Sequence, residues 1–245
     1  MARTSTPHPR SKAGSSSPLS ALRRGGQEVR TAFTRKLLAW WARAARDLPW
    51  RRTRDPYRVL VSEFMLQQTQ VSRVAEYYPR FLDRFPDLET LARARPRAVR
   101  EAWDGLGYYA RASNLHALAR VVSKDLGGTL PDHPDELIKL PGVGRYTAGA
   151  VATFAYEKPV PAVDTNVSRV LRRAFFDRAT GNVQRATKIW DLARALVPKT
   201  GKRAWKFNQA IMELGALICV ARKPRCEQCP VRPDCKTGRR SAARP

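Results

Sequence analysis

From about Arg30 onward, apolar residues recur at helical spacing along nearly the whole chain. Phe33, Leu37, Trp40, Trp41 and Ala44 stand three or four apart, as on one face of a helix. The same period returns over residues 57–70, 73–85, 108–124, 145–156, 165–176 and 203–220, with a short turn at 136–139. Turn residues punctuate these runs: Arg54-Asp55-Pro56, Gly105-Leu106-Gly107, Gly127-Gly128 and Pro141-Gly142. No two-residue alternation of useful length and no internal repeat interrupts the pattern. The predicted class is all-α.

Length and charge narrow the picture. The 245 residues suit one large domain or two small ones, and 43% hydrophobic content is that of a globular chain. The net charge of +25 is unusual. Residues 1–30 hold six Lys or Arg and one Glu, and residues 236–245 hold four and no acid, so the ends supply +9 and +16 remains on the body. A polyanionic partner is the natural reading, because cations that neutralise phosphates release condensed counterions. Basic tails on a soluble basic enzyme are the alternative. Residues 1–29, rich in Ser, Pro and Arg, read as a disordered arm, a composition that an organelle transit peptide shares. Apolar stretches such as Ala148–Tyr156 are far shorter than the ~20 residues of a membrane span, so no membrane partner is expected.

The segment Leu140-Pro141-Gly142-Val143-Gly144-Arg145 lies between two helical patterns. Its glycines permit positive φ and a close backbone approach, and the following helix would present free N–H groups to an anion. A DNA phosphate is the expected anion; a plain helix–helix turn is the alternative.

All four cysteines fall within Cys219-x6-Cys226-x2-Cys229-x5-Cys235. This clustering argues for a metal site over a disulfide framework. Four thiolates in one loop fit zinc or an iron–sulfur cluster, although zinc ribbons usually carry two C-x-x-C pairs. Arg222, Lys223 and Arg225 make the loop basic, fit to meet a phosphate backbone.

Two carboxylates are candidates for chemistry. Glu63 has Val59, Leu60, Leu66 and Gln67 as its helical neighbours. Desolvation there would favour its neutral form, a general acid at neutral pH, whereas a Glu at the edge of an amphipathic helix would be a surface group. Asp164 precedes the pattern that begins Thr165-Asn166-Val167 and reads as a helix N-cap. Such an Asp can also face positive charge developing on a sugar.

Seven stretches occur in order: Leu48-Pro49-Trp50-Arg51, SEFMLQQTQV (62–71), GLGYYAR (105–111), LPGVGRYTAG (140–149), VDTNVSRV (163–170), FNQAIM (207–212) and the four cysteines. Through them the chain from about Arg30 to Cys235 resembles the helix-hairpin-helix DNA glycosylase superfamily, and within it the adenine DNA glycosylase (MutY) family. The resemblance implies a 4Fe–4S cluster on Cys219, Cys226, Cys229 and Cys235, with a structural role. It implies Asp164 as the catalytic aspartate, supported by Asn166, and Glu63 as the acid that protonates adenine at N7, with Tyr146 shaping the site. Gln68 and Tyr108 match positions that enter the DNA stack, and Gln209 one that reads the adenine edge. Leu140, Gly142, Val143 and Gly144 match the phosphate-binding hairpin. Relatives that also cleave the strand carry Lys where this chain has Tyr146; a phenol cannot form a Schiff base, so a monofunctional glycosylase is expected.

The sequence ends ten residues after Cys235, where typical members continue into a domain that helps recognise 8-oxoguanine. A thymine or uracil mismatch glycosylase is therefore a rival reading, and a non-catalytic DNA-binding relative is a second. Gln67-Gln68, Gly107-Tyr108-Tyr109 and Gln209 favour adenine. The expected layout is a six-helix lobe over 52–160, a cluster lobe from 30–51 with 161–236, and a basic tail at 237–245. The expected partner is double-stranded DNA containing a mispair, bound by a monomer. The expected location is the cytoplasm at the nucleoid, or an organelle or nucleus in a eukaryote.

Overall fold

The computed structural model describes residues 25–176 and 182–242. Most of the expected arm, residues 1–24, and the last three residues of the expected tail lie outside the described residues. Among the described residues the fold is all helix, with no strand. No helix is long and apolar enough to cross a membrane.

The chain opens on α1 (Gly25–Ala44), which starts five residues before the boundary expected at Arg30. Glu28 sits in its first turn, and Arg30 and Thr31 donate back to the carbonyls of Gly26 and Gln27. A 3-10 turn (Pro49–Arg51) leads to α2 (Pro56–Leu66). Asp55 starts α2 by accepting from the Arg58 N–H at 2.9 Å, with Pro56 preset for the first turn. Then come α3 (Val71–Arg84), α4 (Leu88–Arg93), α5 (Pro96–Ala102), α6 (Ala110–Asp125), the short α7 (Pro134–Leu137) and α8 (Arg145–Phe154). The chain finishes with α9 (Thr165–Phe175), α10 (Asn182–Leu196), α11 (Gly201–Leu217) and α12 (Lys236–Ala242). Helices α4, α5, α10 and α12 were not singled out by periodicity; the first two span under two turns each, too short for an apolar stripe to repeat. The expected basic tail is helical as far as Ala242.

Two apolar clusters organise these helices. The first is built from α2–α8 together with Leu48 and Trp50, around Leu60, Phe64, Trp103, Leu115 and Ala150. The second joins α1, α9, α10 and α11 around Phe33, Leu37, Leu171, Phe207 and Leu214. Trp205 of α11 belongs to the first cluster and meets Trp41 of α1 edge-on at 5.8 Å, so aromatic packing bridges the two.

The connection between the clusters, residues 155–164, delivers Asp164. Gly149 of α8 lies so close to it that a Cβ there would stand 2.3 Å from the Pro161 carbonyl oxygen. From the other side the buried Asn208 of α11 accepts from the Ala162 N–H at 3.0 Å and donates to the Val160 carbonyl at 3.0 Å. Gly149→Ala is expected to lower unfolding stability by roughly 1–3 kcal/mol, the usual range for overpacking. Gly144→Ala meets open space at φ −90° and is expected to change it by under ~0.5 kcal/mol. Urea denaturation of the two variants checks this; equal effects would show that the α8–Pro161 contact relaxes freely.

Candidate active site

A cleft of about 800 Å³ opens where the two clusters meet. Glu63 and Leu66 of α2, Tyr146 of α8, Asp164 and Asn166 at the start of α9, and Gln209, Met212, Glu213 and Ala216 of α11 line it. The four α11 residues recur at helical spacing, so one face of that helix forms a wall.

Glu63 is 3% exposed. It is no surface group, and its carboxylate accepts from the Tyr146 hydroxyl at 2.7 Å. Burial pushes its pKa from 4.5 up to about 7. The Tyr146 bond opposes that rise, the charge of Asp164 adds to it, and Arg51 offsets a little. Burial and the two nearby carboxylates push the Tyr146 phenol well above its ordinary value, so it donates and stays neutral.

Asp164 is the N-cap of α9. One carboxylate oxygen accepts from the Val167 N–H at 2.6 Å and the other from the Asn166 amide at 2.9 Å. Burial raises its pKa, while these bonds and the charge of Arg169 hold the rise back. Arg169 donates to Asn166 Oδ1 at 2.6 Å, to the Gly215 carbonyl at 2.8 Å and to the Cys219 carbonyl at 2.7 Å. Gly215 permits this contact: a Cβ there would stand 2.7 Å from Asn166 Cβ.

Glu213, a cleft-wall carboxylate that periodicity did not flag, has a fully buried side chain. Burial alone would push it up, but bonds from Arg46 and Arg51, each at 2.8 Å, hold it at about 2. Its only sequence signal is a charge set among the apolar residues Ile211, Met212 and Leu214.

The four cysteines line a second, small cavity with Arg173, Ile218 and Gly238. No disulfide joins any two of them. Burial pushes Cys229 up to about 11 and also raises Cys235. Arg173 reaches Cys219 Sγ at 3.4 Å and the Val220 and Ala221 carbonyls at 2.7 and 2.9 Å, and the Gly238 N–H donates to Cys235 Sγ at 3.3 Å. Such N–H···S contacts are what an iron–sulfur site uses to hold its ligands' charge. Among the described residues no three ligand side chains converge on a single ion position. A cluster that takes one thiolate per iron requires no such convergence.

Residues 61–195 match the family model of the HhH-GPD superfamily of base excision DNA repair proteins. The chain belongs to that superfamily. Its residues 219–235 match the iron–sulfur binding domain of endonuclease III, and its cofactor is a 4Fe–4S cluster held by the four cysteines. It is 45% identical to the adenine DNA glycosylase of Rattus norvegicus across 86% of this chain, and spans 42% of that protein's length. It is 46% identical to the adenine DNA glycosylase of Mycolicibacterium smegmatis across 80% of this chain and 66% of that one. Among solved structures, a thermostable thymine-DNA glycosylase superposes with a TM-score of 0.81 at 34% identity, over 88% of this chain and 99% of that one.

The superfamily's hairpin is present between α7 and α8. Only Gly142 adopts a positive φ, +72°, with a Cβ there 2.6 Å from Asn114 Cβ; Gly144 is extended. The expected left-handed role thus falls on one glycine of the two. The side chains of Leu140 and Val143 are buried in the first cluster, and no side chain caps α8. Gln67, Gln68 and Gln209 reach the cleft. Tyr108 does not line it but stands 61% exposed on the loop before α6. Arg222 and Lys223 lie exposed on the cysteine loop, apart from the cleft.

Because the folded state holds the Glu63 proton up to about pH 7 and the unfolded chain releases it near 4.5, folding stability falls as pH rises through that window. Glu63→Gln is expected to remove this fall, leaving the variant more stable than wild type at pH 8 by up to about 3 kcal/mol and equal to it at pH 4. Parallel denaturation curves at both pH values would place Glu63 among solvated groups. Anaerobically purified protein is expected to be yellow-brown with about four irons per chain; stoichiometric zinc without iron would overturn the cluster assignment.

Proposed function

We propose that the chain is a monofunctional DNA glycosylase, acting as a monomer on double-stranded DNA, that removes adenine mispaired with guanine or 8-oxoguanine. The observation that carries this reading is the pair Glu63 and Asp164: one carboxyl protonated up to about pH 7, the other an N-cap, in one cleft. An N-glycosidic bond breaks most easily with an acid at the departing base and a negative charge at the sugar. Glu63 gives its proton to N7 of an adenine flipped into the cleft. The C1′–N9 bond breaks, adenine leaves neutral, and Asp164 faces the oxocarbenium-like sugar. Water then adds to C1′ and returns a proton to Glu63.

The hairpin and the exposed Arg222 and Lys223 hold backbone phosphates, the buried Gln209 meets the base edge, and Gln68 and Tyr108 enter the stack. Two lobes, over 52–160 and over 30–51 with 161–236, flank the duplex, although Leu48, Trp50, Ala162 and Trp205 of the second span pack in the first cluster. The identity of 45–46% to adenine DNA glycosylases favours adenine over the thymine of the structural relative. The duplex substrate places the enzyme at the nucleoid in the cytoplasm, or wherever a eukaryotic cell keeps its DNA.

The test is single-turnover base release from duplexes carrying A opposite G, A opposite 8-oxoguanine, and T or U opposite G. Release of adenine is expected. Asp164→Asn is expected to slow it by roughly 100- to 1,000-fold while leaving duplex binding within about threefold. Release of thymine alone would transfer the reading to the mismatch family, and no release from any duplex would leave a DNA-binding relative.

A further inference from the structure

Arg111, on the first turn of α6, is buried to 7% exposure. All six of its hydrogen-bond acceptors are neutral oxygens. One guanidinium nitrogen donates to the Phe64, Met65 and Gln67 carbonyls, where α2 runs out. The other donates to Thr69 Oγ1 at 3.0 Å and to the Leu106 and Gly107 carbonyls at 3.1 and 3.0 Å. One planar cation therefore fastens two loops at once, 67–69 after α2 and 105–109 before α6. The Trp103 ring, 5.4 Å from the guanidinium carbon, backs it inside the core, and the Tyr108 ring stands 5.5 Å away on the outside.

Each loop carries a strained residue at its tip. Gln68 has φ +56° and Tyr108 φ +46°, in the left-handed region that non-glycine residues rarely occupy. Such conformations persist where surrounding contacts over-determine them, and they gather at functional positions. Both side chains are exposed. The carbonyl of Gly107, which immediately precedes Tyr108, is held by both Arg111 and the Trp103 indole, the latter at 3.2 Å.

We infer that Arg111 is a positioning residue that clamps the two loops, so that Gln68 and Tyr108 meet a duplex as one preformed wedge. This rests on the glycosylase reading above. Arg111 then governs the opening of the duplex and not the breaking of the glycosidic bond, because it holds the loops from behind and does not itself line the cleft.

The experiment uses the full chain with its cluster, and a duplex bearing 2-aminopurine beside the mispaired adenine. Wild type is expected to raise the fluorescence on binding as bases unstack. Arg111→Lys keeps the charge but cannot span both loops, and the gain is expected to fall roughly tenfold, the factor set by one lost bond to a charged donor. Adenine release should fall by the same factor on the mispair, yet stay near wild type when the adenine is already extrahelical in a one-nucleotide bulge. Iron content and melting temperature establish that the variant is folded. A gain equal to wild type, or equal losses on mispair and bulge, overturns the inference. Should Arg111→Lys fail to fold, Thr69→Val, which removes one acceptor of the same charged donor, decides: a gain reduced by up to roughly tenfold supports the clamp and an unchanged gain overturns it. Wild type that gives no gain on any duplex overturns the glycosylase reading itself, an outcome distinct from a variant that matches an active wild type.

Discussion

The hydrogen bond from Tyr146 to Glu63 joins α2 to α8 inside the first core cluster, and the geometry of the cleft is referred to it. A carboxyl group without water around it is tolerated when it is neutral and hydrogen-bonded. Tyr146 supplies the bond, and burial supplies the neutrality. One turn along α8, Gly149 lets the same helix press against the Pro161 carbonyl. So one helix holds Glu63 with a side chain and, through the absence of another, admits the segment that brings Asp164 to the cleft. The separation of the two carboxylates is thereby a property of packed backbone, which does not drift as a loop would.

Asp164 depends on a second set of contacts. Its helix, α9, is 11 residues long, about 16 Å. The N-terminal end holds the aspartate through Val167 and Asn166, and further along Arg169 and Arg173 grip the carbonyls of Cys219, Val220 and Ala221. Arg169 touches both ends of this arrangement, since it also donates to Asn166. The cysteine loop and the aspartate therefore share one rigid element. The cysteine loop supplies the Cys219 carbonyl that Arg169 holds, so the conformation of that loop is felt at the cleft through α9.

Much of this was legible in the sequence, and the parts that were not share a cause. Period alone marks α1, α3, α6, α8, α9 and α11; α3 and α9 bury one stripe against a cluster, whereas α8 is buried at every position from Thr147 to Phe154. The Asp164 cap and the hairpin turn follow from local chemistry, as does the placing of Glu63 among Val59 and Leu60. The end of α2 was not readable: periodicity carries the helix to Gln70, yet it stops at Leu66. No glycine or proline marks the stop. Its carbonyls are taken by Arg111, 44 residues from Gln67, and only the folded chain brings them together. Glu213 was missed for the same reason, since its partners Arg46 and Arg51 lie more than 160 residues away. Even Gly144, placed correctly beside Gly142, takes an extended conformation that its residue type does not reveal.

The ion group around Glu213 has a consequence for Glu63. Arg51 lines the same cleft, and an unpaired cation there would favour the ionised form of Glu63 and deprive it of its proton. The pull from Arg51 is present but ranks last among the influences on Glu63. Arg51 is already engaged by Glu213, whose fully buried carboxylate it shares with Arg46. The cleft thus contains three carboxyl groups in three electrostatic settings: Glu213 saturated by cations, Asp164 held by amides at a helix start, and Glu63 with a neutral phenol as its partner. On the proposed function, that graded set separates the acid, Glu63, from the anion, Asp164, within one cleft.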